Sequence, residues 1–163
     1  MIGIIKRTFY DAPPSQIHYR YILTSVNAKK ELVVFMHQSA SCEWCYESMM
    51  KEYSERGHDC YAPDMPGFGG SYDPAEDPTS TRYYVEIYMG LFCHLHLPKM
   101  HLVGHHSGAA LALEMRRFIQ EEIFTCTLSA PALATPEEQG AMFKTLAAEW
   151  SKPKEDGSHL TKA

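Results

Sequence analysis

Met100-His-Leu-Val-Gly104-His105-His106-Ser107-Gly108-Ala-Ala-Leu-Ala-Leu-Glu114 changes character in its middle. Met100 to Val103 is a short apolar run of the kind found in a buried strand. Ser107 to Glu122 is rich in Ala and Leu and apolar almost all round until Arg116, which predicts a helix packed on a sheet. Between them, Gly104-His105-His106-Ser107-Gly108 has the form of a sharp strand-to-helix turn. In such a turn the central residue holds strained backbone and the flanking glycines make room for close neighbours. The His106 side chain would project above the sheet, with the Ser107 N–H pointing at any oxyanion formed beside it. Imidazole acts as base, acid or acyl acceptor near neutral pH, but it cannot form a serine ester. A plain turn and helix start would satisfy the same five residues, so the flanking sequence has to decide.

Working outward, Leu32-Val-Val-Phe-Met36 is a continuous apolar run of strand length, expected where both faces of a strand are covered. Glu43 to Arg56 predicts a helix closed by Gly57. His58 to Ala62 predicts a short strand, followed by a Pro/Gly-rich loop from Pro63 to Gly70. Thr79 to His96 carries a helical stripe of Tyr84, Ile87, Tyr88, Leu91 and Leu95. Ile123 to Ser129 is rich in strand formers, and Pro136 to Trp150 predicts a last, amphipathic helix. Upstream, Ile17, Tyr19, Tyr21 and Leu23 alternate with other side chains, and Thr8 to Tyr10 can pair with them across Asp11-Ala-Pro-Pro14. Strands alternating with helices after an N-terminal hairpin predict an α/β fold with a mostly parallel sheet and flanking helices.

Asp64-Met-Pro-Gly-Phe-Gly-Gly-Ser71 directly follows a predicted strand, upstream of the Gly104–Gly108 elbow. Together they resemble the α/β-hydrolase family, in which a D-x-P-G-x-G-x-S loop precedes the nucleophile elbow. The resemblance spans nearly the whole chain. It implies that His37-Gln38-Ser39 lies where the family has His-Gly-x. The Ser39 N–H would then be the second oxyanion donor, beside that of Ser107, with Gln38 in the usual glycine's place and His37 at the loop's start. His106 is the implied catalytic residue. The GHHSG elbow, Ser129-Ala-Pro-Ala-Leu-Ala-Thr-Pro-Glu-Glu138 and Glu155-Asp-Gly-Ser-His159 resemble a subgroup with histidine at the nucleophile position. Residues 1–135 would form the N-terminal part of the core domain and residues 136–163 the start of a helical cap. Family members continue through further strands bearing the catalytic acid and histidine. The expectation is therefore a C-terminally truncated fold with strand 123–129 as an open sheet edge, available for self-association or a partner. The implied function is a hydrolase-like reaction on a small apolar ester or other carbonyl compound. The alternative is a non-catalytic remnant that binds a ligand or partner.

The net charge of -5 and pI near 6.0 argue against a nucleic-acid partner or a membrane surface. The N-terminal apolar run is too short for a signal peptide, and five cysteines, an odd number, suggest reduced thiols and a cytoplasmic location. Cys42-Glu-Trp-Cys45 at a helix start offers a lesser alternative, thiol redox chemistry. His94, His96, His101, His105 and His106 invite a metal reading, but cations at a helix end explain His94 and His96 more simply. The sequence accordingly implies a small-molecule substrate, no cofactor and no metal.

Overall fold

The computed structural model describes residues 3–13, 15–27, 29–131, 133–135, 137–141 and 144. Two compact units divide the chain, Met1–Ala132 and Leu133–Ala163. In the first, the strands are Lys6–Ala12 (β1), Ser15–Ile22 (β2), Lys30–Met36 (β3), His58–Pro63 (β4), Met100–His105 (β5) and Ile123–Ser129 (β6). The helices are Glu47–Glu55 (α1), Thr81–His94 (α2) and Ser107–Phe118 (α3), with 3-10 turns at Glu43–Tyr46 and Gln120–Glu122. The six strands form one sheet in the order β1-β2-β4-β3-β5-β6. β1 pairs antiparallel with β2 and β2 with β4, while β4, β3, β5 and β6 run parallel.

The continuous apolar run in β3 follows from its place inside the sheet. Leu32, Val34 and Met36 join the core under α2 and α3, with Tyr88, Leu91, Leu102, Leu111 and Met115. Val33 and Phe35 face the other way, into a smaller core with Met50 of α1 and Tyr46. Alternation would leave His18 of β2 outside, yet Ile17, His18 and Tyr19 are all buried. β2 is an interior strand, and the chain after β3 covers its second face.

Two predicted helices are shorter as α-helix than their apolar pattern suggests. Residues 43–46 wind as a 3-10 turn before α1. α3 ends at Phe118, where Ile119 leaves the helical region at φ −123°. Gly57 closes the α1 segment with φ 104°, a left-handed conformation that suits glycine. β6 is the last strand in the sheet order, with residues 124, 125, 127 and 129 exposed.

In the second unit, residues 137–141 are helical. Thr135 and Glu138 form a reciprocal capping box: Glu138 N–H donates to Thr135 Oγ1 at 3.3 Å, and Thr135 N–H donates to Glu138 Oε2 at 2.8 Å. Most of the helix predicted to Trp150, and the Glu155–His159 motif, lie outside the described residues. No helix among the described residues is long and apolar enough to cross a membrane.

Candidate active site

His106 stands between β5 and α3 at φ 51°, ψ −115°. A non-glycine residue there stores on the order of 1–3 kcal/mol, and such strain concentrates at functional sites. The position is over-determined. The His106 N–H donates to Ser129 O at 3.0 Å, and its carbonyl accepts from the N–H groups of Ala109 and Ala110 at 3.1 and 3.3 Å. Gly108 allows α3 to start hard against β3, since a Cβ at that position would overlap the Met36 carbonyl oxygen. The imidazole itself is exposed. Ala40 and Ala130 also have positive φ, at 59° and 43°. These three strained residues therefore cluster just beyond the C-terminal ends of β3, β5 and β6, which are adjacent strands.

Ser39 and Ser107 meet across the same end of the sheet. The Ser39 N–H donates to Ser107 Oγ at 2.6 Å, and the Ser107 hydroxyl donates to Ser39 Oγ at 3.2 Å. The Ser107 hydroxyl thus occupies the acceptor place in front of the Ser39 N–H. The Ser107 N–H itself lies in the first turn of α3, where N–H groups have no intrahelical acceptor. Gln38 is half-buried, and His37 is fully buried. His37 Nδ1 donates to Gln38 O at 2.7 Å, while Nε2 accepts from the Met65 N–H at 2.9 Å. These two bonds fix a neutral imidazole protonated at Nδ1. Burial lowers its pKa, against the opposing pull of the Gln38 carbonyl and of Asp64 and Glu43. His37 therefore sits inside the protein and ties the Ser39 loop to the loop after β4.

Asp64 braces that second loop. Its Oδ2 accepts from the Gly70 N–H at 2.8 Å and faces His18 Nδ1 at 2.9 Å, and its Oδ1 accepts from the Glu43 N–H at 2.7 Å. Burial pushes the Asp64 carboxyl up, while the Gly70 and Glu43 N–H groups and His18 work to hold it down. Burial also works to raise Glu43, but hydrogen bonds from Asp64 and Arg20 and the Arg20 charge outweigh it and leave Glu43 low. Arg20 bonds Glu43 and, at 2.9 Å, Glu47. His18, Arg20 and Glu43 were not signalled as site-supporting residues by the sequence; only a polar side chain on an interior strand could have flagged the first two.

Burial pushes the thiols of Cys42 and Cys45 up, the reverse of the depressed thiol a redox site needs. His96 bonds Cys93 O and His101 bonds Thr125 Oγ1. Among the described residues, the one group with metal-ligand spacing is His18, Glu43 and Asp64, whose ligand atoms lie within 4.8 Å of one another. Those carboxylates are already engaged by Arg20 and two backbone N–H groups. His105 Nδ1 pairs with Ser129 Oγ at 3.2 Å, and no ion pair to the His106 ring is found among the described residues.

The sequence pattern of the alpha/beta hydrolase fold family matches residues 31–163. The chain belongs to that family. Relatives include a Mycoplasma pneumoniae protein named "Putative esterase/lipase 2", 26% identical over 103 residues, which are 63% of this chain and 38% of that protein. Protein ABHD14A of Rattus norvegicus is 33% identical over 101 residues, 61% of this chain and 41% of the relative. The chain thus spans about two fifths of the length of these relatives. An epoxide hydrolase from Vigna radiata shares the fold with a TM-score of 0.76 at 18% identity, covering 97% of this chain and 53% of that one. A haloalkane dehalogenase from Agrobacterium tumefaciens does so with a TM-score of 0.71 at 21% identity, covering 93% and 50%.

Proposed function

We propose that this chain carries the elbow part of a hydrolase-type site for a small, largely apolar ester or other carbonyl compound, with His106 as nucleophile or acid–base group. The observation that carries the proposal is the strained, exposed His106 at the head of α3, held by the bond of its N–H to Ser129. As nucleophile, the unprotonated ring nitrogen would attack the carbonyl carbon. The oxyanion would take the N–H groups of Ser107 and Ser39, and the alcohol would leave with the proton of the other ring nitrogen. Water would then hydrolyse the acyl-imidazole to the acid and return that proton. His37, Gln38 and Asp64 would hold the loop that presents Ser39. The name of the Mycoplasma relative supports an ester as substrate class.

The test is hydrolysis of p-nitrophenyl acetate by the purified chain beside His106→Ala. A positioned acid–base group contributes about 10²–10⁴-fold, so the variant should lose at least about tenfold. Equal rates would refute the role of His106.

A second reading is favoured by the Ser107 hydroxyl in front of the Ser39 N–H. A hole already filled by its own side chain suits a non-catalytic protein that binds a partner or a second copy along the edge of β6. Under that reading neither protein hydrolyses the ester, and sedimentation shows self-association that an edge charge such as Thr125→Lys abolishes.

A further inference from the structure

The opposite edge of the sheet, on the face that α2 covers, holds a second concave feature. A cavity of about 560 Å³ lies between the end of β1, the loop following Ser71 and α2. It falls in the range of about 300–1,000 Å³ typical of small-molecule sites. β1 is four places from β5 in the sheet order, so on the order of 19 Å separates the cavity's strand from the elbow's.

Three tyrosines line this cavity, Tyr10, Tyr72 and Tyr83, with Ile87 and the carboxylates Glu76 and Glu86. The Tyr72 and Tyr83 hydroxyls bond each other at 2.6 Å, which holds the two rings together and leaves one O–H free to donate. Among the described residues no Lys, Arg or His belongs to the lining, although the His94 ring packs on Tyr10 with centroids 5.0 Å apart. Glu86 pairs with Arg82 at 2.7 Å on the surface. Glu76 stands in Asp73-Pro-Ala-Glu76-Asp77, all of whose acids are exposed, so two carboxylates line the cavity and two more flank Glu76 in the chain.

Aromatic rings attract cations through their electron-rich faces, most effectively when the cation is poorly hydrated. A primary ammonium is tightly hydrated and gives up its water at a cost when it moves onto an aromatic face. A quaternary ammonium is poorly hydrated, and it gains from the acidic lining. We infer that this tyrosine cavity is a binding site for a small quaternary ammonium compound, separate from the elbow. Burial and the bond to Tyr83 hold the Tyr72 phenol up at about 12, so that ring stays neutral throughout the physiological range.

The full chain is titrated by NMR with choline and, in parallel, with its uncharged isostere 3,3-dimethyl-1-butanol. Saturable one-to-one binding is expected, with the isostere at least about fivefold weaker. Tyr83→Phe, which keeps the ring, should bind choline within about twofold of the parent, and Tyr83→Leu should lose about fivefold or more. Glu76→Gln should weaken choline binding and flatten its dependence on salt. Equal affinity for the isostere, or no saturation at about 10 mM choline, overturns the assignment. So does a Leu variant that binds as well as the Phe variant.

Discussion

Asp64→Asn changes one oxygen to an NH2 group, and the structure says what each orientation of the new amide would cost. With its oxygen at the Oδ2 position, the amide still accepts from Gly70 and faces His18, but its NH2 meets the Glu43 N–H. With the amide reversed, Glu43 keeps its acceptor while Gly70 and His18 lose theirs. The protein takes the cheaper orientation, leaving one buried N–H without an acceptor at about 1–3 kcal/mol. Asp64→Ala orphans the buried Glu43 N–H and His18 ring and leaves the exposed Gly70 N–H to water, which puts its cost at about 2–6 kcal/mol on the same scale. Whole-domain stabilities are only about 5–15 kcal/mol. The alanine variant should therefore be far less stable, and the asparagine variant folded with a lower urea midpoint. Urea denaturation followed by far-ultraviolet circular dichroism measures both. Equal costs for the two variants, or an asparagine cost below about 0.5 kcal/mol, would refute Asp64 as the brace of the loop.

Ser107→Ala removes the hydroxyl that accepts from the Ser39 N–H, a bond worth about 0.5–1.5 kcal/mol; ester turnover should rise about 2–10-fold, and a fall would show the hydroxyl to be part of the chemistry. His106→Gly should relieve the positive φ and raise stability by about 1–3 kcal/mol in thermal or urea unfolding while losing turnover. Burial lowers the pKa of His37 in the folded chain. The unfolded chain therefore takes up the proton first as pH falls below about 6.5. The stability carried by neutral His37 is present in full above that pH and is lost as pH falls through the folded value. His37→Gln should flatten the slope of stability against pH between about 7 and 5, and an unchanged slope would refute the linkage.

What was legible in the sequence was whatever depends on pattern along one strand or helix. The apolar run of β3, the glycine-flanked elbow and the Asp64 loop each announce themselves locally, because strand burial and tight turns restrict residue type at fixed spacing. The helix ends were less legible. Glu43–Tyr46 winds as a 3-10 turn because Tyr46 is tied to the Met36 carbonyl and the Glu43 N–H to Asp64, contacts made across the sheet end. The same kind of contact kept the site's interior out of view. His37 reads as part of a substrate loop, yet its ring is consumed by Gln38 and Met65. Ser107 reads as a backbone donor, yet its hydroxyl reaches a residue 68 positions away.

That last contact bears most directly on function. In the expected arrangement the N–H groups of Ser39 and Ser107 converge on an empty place beside the nucleophile, and a substrate oxyanion fills it. Here a hydroxyl one residue past His106 fills one half of it first. A neutral hydroxyl is a weaker acceptor than an oxyanion, since charge-assisted hydrogen bonds are roughly twice as strong. The developing charge of a transition state can therefore displace it, while a ground-state carbonyl competes with it only on equal terms. Displacing the hydroxyl still costs the chemical step its bond to the Ser39 N–H, so it slows turnover without forbidding it. The same geometry, in a chain whose His106 has no carboxylate partner among the described residues, would leave a ligand merely excluded. The two readings thus part at Ser107: opening its place raises turnover in an enzyme and changes nothing in a protein that only binds.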